Sequence, residues 1–567
     1  MWGGSIMSER GDGVRSARPA VVGGVQASIP GLALAGLVLL CSLTPSWAAP
    51  GDHNGEPSTP APAASPAVDP ALIGGIRDLA SNAQALDQLV EVDAAALQQL
   101  YVDRNYEPIW VANAGLQPLG EALLDTLERL RRSGALPDDA DIAAASARRG
   151  ATAAAGIAEM ELLLSSALIR TAVDPQDLLA PGPRPQVLEA AANSDDSEQF
   201  LHQWLPPDPT FWRLRAAIDG YRTMSEHGGW PSVSAGPKLE PGARDGRIAQ
   251  IRQHLVAAGD LAGDSAEPDL YDDVLLEAVK KFQARHGLAP DGVIGFGTID
   301  AFNVPAEARL TAMIFNLRRL YGQARDWGDN YVMVNLAAAQ LKLVQGGAIT
   351  ASYNVIVGRR DRPTPELHST INRMEFNPYW NVPAGIYAKD FLPKLRKDPD
   401  FINHYQNIRV YRASEPANEV DPSTIDWFSP EARQMRLRLR QDPGPENALG
   451  PAKFLFPNPY DVYLHGTNKP SLFAKPDRFL SSGCIRLPDP LGFAELVLKD
   501  DPNWTRAKID AAVAAKSNRG VPLAKPLPVH LVYDTAWVDE AGTVQFRPDV
   551  YGRDQREATV AERGGKS

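Results

Sequence analysis

An α+β multidomain chain is what this sequence predicts: a mainly β domain with a helical capping insertion, a small three-helix module and a helical scaffold domain. Three observations carry that prediction. Apolar residues recur at helical spacing from Ala71 to about Arg222. A compact set of helix and turn signals follows between Asp245 and Val304. Beyond Tyr331 the period changes to the alternation of half-buried strands.

At the N-terminus, Arg10, Arg15 and Arg18 precede an apolar stretch from Ile29 to Leu43, and small residues follow around Ser46-Trp47-Ala48-Ala49-Pro50. Positive flank, short apolar run and small residues describe a secretory signal peptide over 1–48. The run falls short of the ~20 apolar residues that a spanning helix needs. The expected location is the periplasm, with the inner membrane a partner only if this segment stays uncleaved. Bulky Leu40 before Cys41 argues against a lipid on that cysteine. Residues 49–70, rich in Pro, Ala, Ser and Gly, read as a disordered linker.

A helical scaffold domain is expected over 71–236. Leu123, Leu124, Leu127 and Leu130 share one helix face, as do Met160, Leu163, Leu164, Ala167 and Leu168. The three-helix module is expected over 245–305. Ile248, Ile251 and Leu255 line a first helix ending near Gly259, and Leu275, Ala278, Val279 and Phe282 line a second that stops at Gly287. Asp291-Gly292 is a tight turn, and Thr298 is read as the cap of a third, short helix.

The mainly β domain is expected over 330–536. Val332, Val334, Leu336, Leu341 and Leu343 alternate, Gly346-Gly347 signals a two-residue hairpin, and Ser352 to Val357 returns as the partner strand. Residues 385–444 differ in character, with helix-compatible segments at Phe391 to Leu395 and Glu431 to Arg440. They read as an inserted cap, since long insertions are usually functional. Residues 537–567 are left as a C-terminal tail.

Composition limits the partners. A 44% hydrophobic, 22% charged chain is a folded one, and its formal charge is −12. Loss of 1–48 removes three Arg against Glu9 and Asp12, leaving the chain near −13. A nucleic-acid partner, which would want a basic face, is not expected. The nine histidines are scattered and no cysteine pair would remain, so neither metal nor cofactor is expected.

Without its leader the chain keeps one cysteine, Cys484, in Ser481-Ser482-Gly483-Cys484-Ile485-Arg486-Leu487. His465 lies upstream in Tyr463-Leu464-His465-Gly466-Thr467. A lone thiol attacks only if something lowers its pKa or removes its proton, and His465 is the nearest base in sequence. A free cysteine is also often a small buried hydrophobe. The surrounding motifs decide for chemistry.

Those motifs are Tyr353-Asn354-Val355-Ile356-Val357-Gly358, Thr364-Pro365, Phe376-Asn377-Pro378-Tyr379-Trp380-Asn381-Val382-Pro383 and Asn447-Ala448-Leu449-Gly450, ahead of the His465 and Cys484 segments. In that order they resemble the YkuD-type L,D-transpeptidase domain. Ala278 to Leu288, with Asp291 to Gly295 and Thr298, resembles a peptidoglycan-binding module. The whole, roughly from Leu97 to Asp554, resembles the large YcbB-type subfamily. Ser482, where smaller relatives carry histidine, fits that subfamily.

The resemblance implies Cys484 as nucleophile and His465 as general base and acid. It implies a backbone carbonyl, that of Gly466, orienting the histidine, and an oxyanion hole from the N–H groups of Ser482, Gly483 and Cys484. Arg486 is a candidate for a substrate carboxylate or a structural ion pair; Tyr463 and Trp380 line the cleft or fill the core. Ser481 is a further substrate-binding candidate. The implied activity is formation of 3→3 peptidoglycan crosslinks with release of D-alanine, and the implied inhibitors are carbapenems. The same thioester also serves an L,D-carboxypeptidase or a D-amino-acid exchanger, and a non-catalytic wall-binding protein is the reading from another class. Expected partners are peptidoglycan stem peptides and glycan, and other cell-wall synthesis enzymes.

Overall fold

The computed structural model describes residues 68–556 apart from 93, 137–138, 264, 324–326 and 405–406. The expected signal segment 1–48, Cys41 and the linker up to Ala67 lie outside the described residues, as do residues 557–567.

The scaffold helices begin where caps allow. Helix α1 (Pro70–Ala80) follows Asp69, whose side chain accepts from Ala71 N, with proline in the first turn. Helix α2 (Pro118–Arg132) buries Leu123, Leu124, Leu127 and Leu130. Helix α3 (Ala154–Thr171) is buried almost all round, as a helix apolar on every face must be. Its buried carboxylate, Glu161, accepts from Tyr101 Oη (2.6 Å), Ile109 N (2.7 Å) and Trp110 N (2.9 Å). Helix α4 (Pro209–Glu226) closes the domain.

The module is built as its periodicity requires. Helices α5 (Gly246–Ala257), α6 (Asp273–Arg285) and α7 (Phe296–Phe302) bury Ile248, Ile251, Leu255, Leu275, Val279 and Phe282 together. Gly287, at φ +73°, ends α6 in the left-handed conformation that glycine adopts without strain. Thr298 is not the cap of α7. Gly295 holds that position, and Thr298 sits buried in the first turn with Oγ1 donating to Val293 O (3.3 Å). A further helix, α8 (Ala306–Gly322), runs back along α4 and bonds through Asn316 Nδ2 to Thr535 Oγ1 (2.6 Å).

The β domain is one sheet with short accessory ladders. Its strands are β1 (Tyr331–Asn335), β2 (Gln340–Gln345), β3 (Ala348–Asn354), β4 (Val357–Gly358), β5 (Leu367–Phe376), β6 (Trp380–Asn381), β7 (Ile408–Arg412), β8 (Glu415–Val420), β9 (Leu437–Gln441), β10 (Ala452–Leu455), β11 (Leu464–His465), β12 (Phe479–Ser481), β13 (Ile485–Arg486) and β14 (Arg519–Val532). The eight-stranded order is β13-β11-β10-β5-β14-β1-β2-β3, and β12 pairs separately with β4. Gly346 and Gly347 turn the β2–β3 hairpin at φ +61° and +75°, the positive pair a two-residue turn needs.

The capping insertion is mixed, not helical. A π-turn (Tyr387–Phe391) runs into a short helix (Leu392–Lys397), and three strands of the insertion join β6, just before it, in a four-stranded sheet ordered β8-β7-β9-β6. Of Glu431 to Arg440, only the start is helical (Pro430–Arg433). Leu437, Leu439 and Gln441 then face inward with Arg438 outward, a period of two that strand pairing with β7 rewards. The insertion has its own core around Phe391, Leu395, Val410, Trp427 and Leu439.

Part of the C-terminal tail is folded. A hairpin of β15 (Ala536–Val538) and β16 (Val544–Phe546) buries Phe546 against Tyr221 and His286, at ring centroid distances of 5.6 and 5.5 Å. These few apolar residues are too short a run to show a period, and their partners lie in other domains. Among the described residues no helix is long and apolar enough to cross a membrane.

Candidate active site

Adjacent parallel strands bring Cys484 to His465. Strand β11 ends in His465, and Cys484 immediately precedes β13, in register Leu464 to Ile485 and His465 to Arg486. Ile485 N donates to Tyr463 O (3.1 Å) and Leu487 N to His465 O (2.8 Å), so the ladder fixes both backbones. The turn before the cysteine needs its glycine. Gly483 has φ +122°, and although a side chain would meet no atom there, a non-glycine backbone would be strained.

Hydroxyls clamp this turn from two sides. Ser481 Oγ donates to Cys484 O (2.6 Å) and accepts from Gly483 N (3.1 Å). Thr364 Oγ1 donates to Gly483 O (2.7 Å) and accepts from Gly358 N (2.9 Å). Gly483 N–H is therefore already engaged by Ser481. Gly466 lies against Pro490, Leu449 O and Pro451, where an added Cβ would meet atoms at 3.0 to 3.1 Å.

A cavity of about 400 Å³ opens onto Cys484, and His465, Tyr463, Trp380, Ser481, Ser482 and Arg486 all line it. The strand pairing gathers the side chains from Tyr463 to Arg486, and the sheet of the insertion brings Trp380 to the same cavity. Cys484 Sγ points to the carbonyl of Asp461 at 3.8 Å, and Asp461 itself holds a left-handed φ of +53°. Trp380 both faces the cavity and packs on Phe391 of the insertion at 6.1 Å. The Tyr463 ring lies 5.5 Å from the His465 ring, and Lys453 Nζ lies 4.1 Å from the tyrosine centroid.

Electrostatics set the resting protonation. His465 is 4% exposed, and burial brings its pKa down to about 3; neighbouring Arg486 and Lys453 add to this, while the carbonyls of Gly466 and Leu449 oppose it. Its Nδ1 is buried without a hydrogen bond of normal geometry. Burial likewise pushes the Cys484 thiol up, against the lowering effect of Tyr463, Lys453 and Arg486. Both shifts favour the uncharged forms, thiol and neutral imidazole. Arg486 is itself depressed by burial, its Nε lacks a partner, and no carboxylate among the described residues lies within ion-pair distance of it.

Sequence reasoning missed the link above the cysteine. Arg362 donates from Nη1 to Ser482 Oγ (3.1 Å) and grips Asp390 of the π-turn with both terminal nitrogens, one at 2.8 Å. Thr364 was visible only as part of a motif string. The sign for Arg362 and Asp390 is absent from local spacing, because their pairing exists only after the insertion folds over the sheet. Among the described residues no group of three His, Cys, Asp or Glu side chains could hold a metal ion.

Residues 329–508 match the L,D-transpeptidase catalytic domain family of the YkuD type, 95–218 a scaffold domain family and 244–302 a peptidoglycan-binding domain family. A Haemophilus influenzae protein named "Putative L,D-transpeptidase" is 35% identical over 233 residues, 41% of this chain and 46% of that protein. The chain therefore aligns with about half the length of this curated relative. Among solved structures, an L,D-transpeptidase from Stackebrandtia nassauensis is 13% identical, over 54% of this chain and 97% of that one, with a TM-score of 0.21. One from Xylanimonas cellulosilytica is 12% identical, over 53% and 98%, with a TM-score of 0.18. Likenesses at these scores add nothing to the assignment. What folds around Cys484 and His465 is a YkuD-type L,D-transpeptidase catalytic domain, carried on one chain with a peptidoglycan-binding domain.

Proposed function

We propose that this chain is a periplasmic cysteine L,D-transpeptidase that makes 3→3 crosslinks in peptidoglycan. The observation that carries the reading is the pairing of β11 with β13, which puts a lone thiol and a buried imidazole on one cavity inside the matched catalytic domain.

Cys484 attacks the carbonyl that follows the third residue of a tetrapeptide stem. The C–N bond to the terminal D-alanine breaks, and a thioester remains on Sγ. His465, held neutral by its burial, takes the thiol proton as attack proceeds and returns it to the leaving amine. The depressed imidazole and raised thiol favour this general-base route over a preformed ion pair. The amine on the third residue of a second stem, meso-diaminopimelate, then attacks the thioester and frees the cysteine.

The oxyanion falls to the N–H groups of Ser482 and Cys484, since Gly483 N–H is engaged by Ser481. Such donors contribute on the order of 2.7–4 kcal/mol in a comparable acyl-transfer site. Arg486, without a protein carboxylate, is suited to a stem carboxylate. The capping insertion, which reaches the Cys484 turn through Asp390 and Arg362, excludes water so that an amine outcompetes hydrolysis.

Purified protein given defined tetrapeptide muropeptides, with products read by mass spectrometry, tests the reading. Crosslinked dimer with free D-alanine is expected. Tripeptide alone would make it a carboxypeptidase, an exchanged terminal residue an exchange enzyme, and unaltered substrate a binding protein. A carbapenem should leave one covalent adduct on the intact protein, and none on Cys484→Ala.

A further inference from the structure

A second cleft, larger than the catalytic cavity, opens where the peptidoglycan-binding module meets the catalytic domain. Its volume is about 620 Å³. The module contributes the exposed turn from Gly287 to Pro290 after α6, and the catalytic domain contributes the β1–β2 turn and the segment from Phe473 to Phe479. Four cationic side chains line it: Arg360, Lys475, Arg478 and Arg547. In a chain of net charge −12 this is a local reversal of sign.

The two buried guanidinium groups here, Arg478 and Arg547, bond to neutral acceptors and have no carboxylate at ion-pair distance among the described residues. Arg478 donates from Nη2 to Ala338 O (3.2 Å), its Nε is buried without a hydrogen bond, and it makes no ion pair among the described residues. Arg547 bonds to the carbonyls of Arg285 (3.1 Å) and Phe546 (2.7 Å) and lies 4.9 Å from the Trp537 ring, again without a carboxylate. Burial depresses both, and the charge of Arg478 depresses Arg547 further. The acidic residue at the cleft, Asp477, accepts from Phe479 N (3.0 Å). Two desolvated like charges, offset only by Asp477 beside Arg478, are costly, and a bound anion relieves that cost.

Strand β12 starts at the cleft with Phe479 and ends at Ser481, on the catalytic cavity. From Phe479 to Cys484 the chain spans at most about 17 Å, so a peptide held in the cleft lies within a short reach of the thiol.

We propose that this cleft is a second substrate site, which holds a carboxylate-bearing stem peptide of the strand that the module engages. The proposal rests on the peptidoglycan reading above and adds a site to it. Arg360 and Arg478 bind the carboxylate, and the apolar turn after α6 bears on the ligand's uncharged part.

The test uses the full chain as Cys484→Ala, titrated calorimetrically with a soluble disaccharide-tetrapeptide and with the same molecule carrying amidated carboxylates. The carboxylate form should bind more tightly and protect residues 473–479 and 287–290 from hydrogen exchange. Adding Arg360→Gln and Arg478→Gln should weaken it about tenfold or more and shrink its advantage over the amidated form. If Arg478→Gln lowers the melting temperature, exposed Arg360→Gln alone carries the comparison. Equal affinity for the two forms, unchanged affinity in the variants, or protection confined to the Cys484 cavity overturns the proposal. D-alanine release by the unmutated chain is measured separately. Its absence would refute the transpeptidase reading, while the titration still reports whether the cleft binds carboxylates.

Discussion

His465 and Cys484 carry opposite perturbations from the same cause, burial, and this fixes how the pair should respond to pH. Alkylation of Cys484 by iodoacetamide should climb with pH into and beyond the ordinary thiol range, with no plateau below pH 6. A plateau there would mean a standing thiolate–imidazolium pair. His465→Ala should slow substrate turnover by about 10²- to 10⁴-fold, as loss of a positioned base does. Cys484→Ser should abolish it with the fold intact.

The histidine also links pH to stability. Its folded pKa, about 3, lies below its ordinary 6.5, so over that window the unfolded chain binds a proton that the folded chain refuses. Stability from this site is full above about pH 6.5 and is lost as pH falls toward 3. Melting temperature should therefore drop less between pH 7 and 4 in His465→Gln than in the parent. An identical drop would show that His465 is not held neutral.

At the scale of elements, the insertion lines the Cys484 cavity with Ile386 and Lys389 and holds the turn before the cysteine through an ion pair. Asp390 sits in a π-turn, a distortion that recurs at functional sites, and Arg362 relays its position to Ser482 beside the nucleophile. Asp390→Asn should loosen that hold, raising the ratio of hydrolysed tripeptide to crosslinked dimer while carbapenem acylation of Cys484 persists. An unaltered product ratio would make the insertion scaffold alone. Replacing 385–444 by a Gly/Ser linker is a harsher test. Strand β6 pairs with β9 of the insertion, so its removal strips Trp380 of its neighbours at the cavity wall.

For the whole molecule, the module is braced as well as tethered. Arg285 pairs with Asp260 inside it and donates to Tyr221 of the scaffold (3.4 Å), and Phe546 stacks on His286. Deleting 245–304 would bare Tyr221 and Phe546, so lost wall binding in that variant would be confounded by lost stability. Phe296 offers a cleaner probe, being 82% exposed at the start of α7, where nothing in the fold requires an aromatic ring. Phe296→Ala should melt like the parent yet pellet less with intact sacculi. Full pelleting at an unchanged melting temperature would remove that face of the module from wall binding.

The sequence by itself determined what is local. Leu123 to Leu130, Leu275 to Phe282 and the Gly346-Gly347 hairpin were readable because periodicity and turn chemistry act over a few residues. Cys484, Gly483 and His465 were readable because a reactive thiol needs a tight turn and a base. The reading failed where the decisive neighbour was distant. Glu431 to Arg440 suits a helix by spacing, but pairing with β7 makes most of it a strand. Thr298 is a local misreading of another kind: it has a cap's chemistry, but Gly295, three residues earlier, takes the position. Only tertiary structure brought Arg362 to Asp390, left Arg486 without a protein carboxylate, and closed the Arg478–Arg547 cleft between two domains. Burial and the approach of like or unlike charges exist only once separate segments pack, and no spacing along the chain encodes them.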